Sequence, residues 1–554
     1  MIKSINMSLL ETLVIKNFPY STFNSGQKEV IIDACVSILN GTKHTIISAP
    51  TGVGKSVIAI TIHKVLEDYK KEFNTVILTT TKGLQDQYKK DFSNILLDIK
   101  GKNNYPCLKN TQGYSSPGCI SALSSKSCEK FKCPYLIARD FWVNHEGVKT
   151  TNSSYFLKAP DSIIPTSEPN IIDLCIIDEC HEIDKVIIEN TTLNFNILNY
   201  KHIVQVYKNF ESEYKKFELI MNNLPSECYF TFQEISDDNK NFINELVANL
   251  STIKESCESR LEAYDNSVAL QTIVKYKMCI SECKELSNML RILTHDFYNN
   301  NIFKWVRTTA EDGGIKVIPL SSATKLTDLV LFNKAKQFIH MSATIGGFEQ
   351  YCKNLGLKHE NCVYIEVENP IHKDKRKVIV NETLQINYKT NPKDIVKLID
   401  NIIEKEQHNG NGVIHTVSFK LAQDIKQYSK FRNRMIVSNN RSEILSKLEK
   451  SNDSIILSPS VETGYDFKED LARWQIISKM PYLNLGDLYV SERLKLSSNW
   501  YARETVLRLI QASGRVTRGV NDFGITYIID RNIFNLLEKH FEMFPEWYLE
   551  SLEI

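Results

Sequence analysis

The run APTGVGKS at residues 49–56 sets two glycines, a lysine and a serine between an apolar segment, HTIIS, and an amphipathic stretch, VIAITIHKVL. A strand, a glycine-rich turn and a helix in that order point successive backbone N–H groups at phosphate oxygens. Thr51, Gly52, Val53 and Gly54 would form the cradle, Lys55 adds a point charge, and the Ser56 hydroxyl can ligate magnesium. Ala49 replaces the glycine that usually opens such a loop. The strand–loop–helix context lifts the signal above a loose pattern match.

A second group of chemistry-bearing residues ends the apolar run NIIDLCIIDECH. Asp178 is placed to hold hydrated magnesium opposite Ser56, and Glu179 to orient or deprotonate the water attacking a terminal phosphoryl group. A solvated strand edge would explain two adjacent acids alone, but that reading weakens with a phosphate loop upstream. A third group lies in SSNWYARETVLRLIQASGRVTRG, where Gln511, Arg515 and Arg518 reach one surface from neighbouring turns. Two guanidiniums suit the charge that develops on a transferring phosphoryl group. Ordinary arginines on a solvated helix end are the alternative.

Cys107, Cys119, Cys128 and Cys133 fall between the phosphate loop and DECH. Thirteen cysteines in 554 residues are too few for a disulfide scaffold. Four thiolates suit structural zinc or a four-iron, four-sulfur centre, and without a C-x-x-C pair the residues alone leave both open. The same stretch interleaves Lys102, Lys109, Lys126, Lys130, Lys132 and Arg139 with Tyr105, Tyr114, Phe131, Tyr135 and Phe141. Such a mixture can track phosphates and stack on bases. Cys35, Cys175, Cys228, Cys257, Cys279, Cys283, Cys352 and Cys362 read as small buried hydrophobes.

These groups need a scaffold of several domains, because the chain is too long for one core. Strands are expected at 44–49, 75–80, 171–177 and 338–342, and in RKVIVN, GVIHTVSF, RMIVS, SIILSPS and GITYIID. Helical patterns separate many of them, so the expected fold class is α/β with parallel sheets. Residues from about 190 to 305 change character, with apolar positions at helical spacing. The net charge of +1 by itself points to no nucleic-acid partner, so any binding groove depends on local patches. No apolar run approaches a bilayer span and no signal-peptide pattern opens the chain, so a cytoplasmic location without membrane contact is expected.

Taken together, the motifs resemble superfamily 2 helicases, and more closely the XPD/DinG branch of iron–sulfur DNA helicases. Phe23 to Gln27 is similar to its adenine-recognition element, APTGVGKS to motif I, TTTKGLQDQ to motif Ia and DECH to motif II. Ser342, Ala343 and Thr344 resemble motif III, VIHTVSF motif IV, SVETGYDF motif V and QASGRVTRG motif VI. The resemblance implies two RecA-like motor domains, the first from 1–103, 143–190 and 306–345, the second from 346–554. An iron–sulfur insertion at 104–142 and a helical arch-like insertion at 191–305 complete the layout.

The same resemblance implies ATP, Mg2+ and a [4Fe-4S] cluster held by Cys107, Cys119, Cys128 and Cys133. Gln27 would read adenine, Ser342 and Thr344 would couple phosphate state to DNA contact, and Gly464 and Asp466 would serve the hinge and ribose side. Arg515 and Arg518 would complete the site from the second motor domain. The implied activity is ATP-driven 5′ to 3′ movement on single-stranded DNA, opening forked or tailed duplex in repair, recombination or replication. An ATPase that remodels RNA or protein–nucleic-acid complexes is an alternative, and a non-catalytic nucleic-acid clamp is another. Thr463 before Gly464, where relatives carry Glu, and Cys180 within DECH depart from the pattern.

Overall fold

Unalternating apolar runs such as HTIIS, TVILT and IDLCIID form strands buried on both faces, as a parallel sheet covered by helices demands. The computed structural model describes residues 5–106, 108, 133–159, 163–165, 172–263, 270–298, 303–322, 325–380, 383–405, 410–438, 440–451, 453–459, 471–517 and 519–554. One seven-stranded parallel sheet runs Cys362–Glu366, His44–Ser48, Ala335–Ser342, Ile172–Asp178, Thr75–Thr79, Val148–Asn152, Leu96–Ile99. A second, also seven-stranded and parallel, runs Met435–Val437, Ile455–Ser458, Gly412–His415, Trp474–Ile477, Ile525–Ile528, Val378–Ile379, Leu552–Glu553. In the first, Ser48 pairs with Ser342 and Met341 with Asp178. The phosphate-loop, acidic and SAT strands therefore end side by side, where open α/β sheets place their ligands.

A third unit is mostly helical. Asp237–Glu262 and Leu270–Tyr298 are long helices whose buried residues recur at alternating steps of three and four: Ile243, Leu246, Leu250, Ile253 and Cys257 on one, Cys279, Cys283, Leu286, Leu290 and Leu293 on the other. The cysteines act there as small apolar side chains. Cys35, Cys175 and Cys352 are buried likewise, whereas Cys228 is exposed and Cys362 half-buried.

Two expected boundaries shift. Trp305–Thr309 and Ile315–Pro319 form an antiparallel hairpin that adds Leu193–Phe195. Trp305, Ile315 and Val317 pack into the core of the helical unit. The chain thus returns to the first sheet near Ala335 rather than at 306. The second unit likewise begins near Val378 rather than at 346, because Cys362–Glu366 adds an edge strand beside His44–Ser48. Among the described residues no helix is long and apolar enough to cross a membrane.

Candidate active site

Helix Lys55–Lys70 begins after Gly54, whose φ of 85° and lack of a side-chain cap leave the first N–H groups of the helix open. An anion complements such an end. A Cβ at Gly54 would lie 2.7 Å from Gln27 Nε2, so the loop and this glutamine are built for each other. Gln27 is buried; its Nε2 donates to the Val53 carbonyl at 2.5 Å, and its Oε1 accepts the Asn24 N–H at 2.7 Å. The amide thus ties the phosphate loop at Val53 to the turn at Asn24 that precedes its own helix.

Asp178 closes its strand with 2% exposure. Its Oδ2 accepts from the Tyr88 hydroxyl at 2.9 Å and its Oδ1 from the Glu179 N–H at 2.9 Å. Glu179 is held at a φ of 54°, a left-handed backbone rare outside glycine and a form of strain found at functional sites. Its Oε1 lies 3.4 Å from Lys55 Nζ. Burial and the Glu179 charge push the Asp178 carboxyl up to about 6. Burial would raise Glu179 too, but Lys55, His181 and a hydrogen bond from Ser342 hold it below its ordinary value. Two acids with opposite shifts are fitted for different tasks. A desolvated carboxylate beside a second one, with the Ser56 hydroxyl at the start of the phosphate-loop helix, is an oxygen donor set that fits Mg2+.

His181 links this site to the other sheet. Its Nδ1 is 2.7 Å from Ser342 Oγ, and its Nε2 is 2.5 Å from Gln511 Nε2. Ser342 Oγ in turn donates to Glu179 Oε2 at 3.3 Å. His181 Nε2 also lies 3.3 Å from Glu182 Oε1, so the imidazole sits between two carboxylates, Ser342 and Gln511. Helix Ser498–Ser513 carries a second bridge, for Arg503 Nε donates to the Ile345 carbonyl at 2.8 Å. A Cβ on Gly346, whose φ is 67°, would lie 2.6 Å from Arg503 Cγ, so only glycine lets the two units approach so closely here. Arg515 is buried beyond the helix end; burial, with the Arg515 charge nearby, pushes His415 down to about 4.

The helicase C-terminal domain family matches residues 400–551, and the type III restriction enzyme res subunit family matches residues 21–219. No curated protein matches the chain. The fold is similar to that of an XPD helicase, with 15% identity, a TM-score of 0.57 and coverage of 96% of this chain and 98% of that one. S. tokodaii Xpd4 gives 15%, 0.55, 95% and 99%, and an apo XPD structure gives 16%, 0.53, 94% and 98%. The chain shares the fold of the XPD helicases, and its C-terminal part matches the helicase C-terminal domain family. Phosphoryl transfer in a cleft of this fold needs a phosphate loop, an acidic pair and a glutamine–arginine helix together. Lys55, Asp178, Glu179, Ser342 and Gln511 are connected as described. Thr344, also buried, accepts the Gly346 N–H at 3.4 Å and so shapes the turn behind Ser342.

Gly464, Asp466, Arg518, Cys107, Cys119 and Cys128 lie outside the described residues. Cys133 precedes helix Pro134–Asn144, whose Tyr135 hydroxyl is 3.2 Å from that of Tyr155 and whose ring sits 5.6 Å from Tyr105. Among the described residues no group of three or more His, Cys, Asp or Glu is arranged to hold a metal ion. Sequence reasoning missed Tyr88, Arg503 and the buried pair of Arg493 with Asp184, at 2.5 Å. Each partner lies at least 90 residues away along the chain, so no local pattern marks them.

Proposed function

We propose that this helicase acts on DNA, moving 5′ to 3′ along a single strand and opening forked or tailed duplex. The choice of DNA and of direction rests on the resemblance to XPD/DinG helicases. The observation that supports an ATP-driven motor is the hydrogen-bonded chain from Gln511 through His181 and Ser342 to Glu179. It ties the cleft's second wall to the acid that would orient the attacking water, so closure of the two units and hydrolysis become one event. Open N–H groups after Gly54 and the Lys55 ammonium would hold the terminal phosphates, with Arg515 and Arg518 completing the charge. Ser56 and Asp178 would hold Mg2+, which neutralises developing charge on the phosphoryl oxygens. Gln27 would keep one N–H and one lone pair of its amide for adenine. Gly464 and Asp466 would lie at the ribose and hinge side.

Cys107, Cys119, Cys128 and Cys133 would hold a [4Fe-4S] cluster that staples a lobe too small for its own core. The helical unit would serve as the arch beside it, enclosing the strand. Duplexes bearing only a 5′ or only a 3′ single-stranded tail test the direction: unwinding from the 5′ tail supports the reading, and unwinding from the 3′ tail alone contradicts it. Unwinding of RNA but not DNA would favour the remodelling alternative. Iron and acid-labile sulfide in anaerobically purified protein support the cluster, whereas stoichiometric zinc without sulfide contradicts it.

A further inference from the structure

Helix Leu488–Leu496 belongs to the second unit, yet two adjacent side chains on it engage the other two units. Arg493 Nη2 lies 2.5 Å from Asp184 Oδ2, on the helix that follows DECH. Asp184 Oδ1 also accepts from Ser322 Oγ at 2.5 Å. The guanidinium of Arg493 stacks 4.3 Å from the Trp500 ring, so its position is fixed on both sides. Glu492 Oε2 accepts the backbone N–H of Tyr229 at 3.2 Å, in the helical unit. Phe230, the next residue, exchanges both backbone hydrogen bonds with Trp305, so the contact reaches the antiparallel sheet of that unit. Lys495 is the other partner of Glu492, and Lys304 Nζ covers the Tyr229 ring at 4.5 Å.

Glu492 is only 1% exposed. A carboxylate so deep is costly unless its hydrogen bonds are made, and an apolar side chain would fill the same space without that cost. What a buried acceptor adds over an apolar residue is a directional tie to one donor. That donor belongs to a different unit, while the neighbouring Arg493 holds a residue three positions beyond His181.

We propose that Glu492 is a positioning residue through which opening and closing of the nucleotide cleft move the helical unit. Arg493 moves helix Leu488–Leu496 with the DECH segment, and Glu492 passes that movement to the strand pair at Phe230 and Trp305. The inference rests on the helicase reading above, and its own tie is independent of which nucleic acid is unwound.

The test compares the full-length protein with Glu492→Gln and Glu492→Ala. Hydrolysis of ATP is measured without nucleic acid, unwinding of a tailed duplex is measured per ATP consumed, and amide exchange at residues 229–232 is followed with and without a non-hydrolysable ATP analogue and magnesium. Glu492→Ala is expected to hydrolyse ATP without nucleic acid within about twofold of wild type while base pairs opened per ATP fall about fivefold or more. In that variant the analogue no longer changes exchange at residues 229–232. Glu492→Gln keeps both responses, because its Oε1 accepts the same N–H. An alanine variant with wild-type unwinding per ATP and a wild-type exchange response overturns the inference, as does equal failure of the glutamine and alanine variants. A wild-type protein that unwinds nothing removes the helicase reading; the exchange response to nucleotide then still decides the tie.

Discussion

Gln511 Nε2 stands 2.5 Å from His181 Nε2, so the helix that carries the guanidinium motif ends in a hydrogen bond to the acidic motif of the other sheet. Removing it leaves His181 Nε2 with Glu182 Oε1 at 3.3 Å but without its tie to the other sheet, and loosens Ser342 and Glu179 behind it. Gln511→Ala is expected to lower kcat for ATP about tenfold, the worth of one hydrogen bond made in the transition state, with little change in KM. Steady-state hydrolysis checks it; a rise in KM at constant kcat would place Gln511 in nucleotide binding instead.

Tyr88 is fully buried, and its hydroxyl orients Asp178 at 2.9 Å. In Tyr88→Phe the carboxylate keeps its charge but loses one of its two fixed donors. The magnesium concentration for half-maximal hydrolysis is expected to rise about threefold to tenfold, with a stability loss of about 1 kcal/mol. A magnesium titration of hydrolysis reads this directly.

Arg493 and Asp184 form a buried ion pair between units. Deleting one partner strands the other charge, so Arg493→Met or Asp184→Leu alone is expected to destabilise by about 3–5 kcal/mol. The double variant is expected to recover much of that loss. Denaturant midpoints of the four proteins check the cycle, and additive losses would show that the two side chains act independently.

Several imidazoles are buried as neutral groups. Burial is the main cause pushing His63 and His415 down to about 4. Below pH 6.5 the unfolded chain takes up protons on these side chains while the folded chain does not, so stability falls as the pH drops from about 6.5 toward 4. Each contributes up to about 3 kcal/mol across that window. His63 bonds Thr75 Oγ1 at 3.0 Å, a contact Gln can replace, so His63→Gln is expected to flatten the acid limb of a stability-versus-pH curve. An unchanged slope would contradict it.

The strands around the nucleotide site were legible because each motif is local: an apolar run, then a turn whose residue types have one chemical use. Asp178, Lys55 and the phosphate-loop glycines belong to that class. The edge strand Cys362–Glu366 was not legible, since its outward face is exposed and its apolar run short. Nor was the hairpin at 305–319, whose alternation suits either unit; only the packing of Trp305 against the helical core assigns it. Tyr88 and Arg503 escaped for another reason. A buried polar side chain becomes meaningful only when its partner is known, and their partners are Asp178 and Ile345.

The central claim is that one cleft between two sheets couples splitting of ATP to a grip on a polynucleotide. The most direct measurement is ATP hydrolysis with and without single-stranded DNA, for the wild type, Lys55→Ala and Arg515→Ala. The account predicts a wild-type rate that rises about tenfold or more with the strand, and two variants reduced to background. A wild-type rate indifferent to the strand, or stimulated hydrolysis surviving in Lys55→Ala, would contradict it.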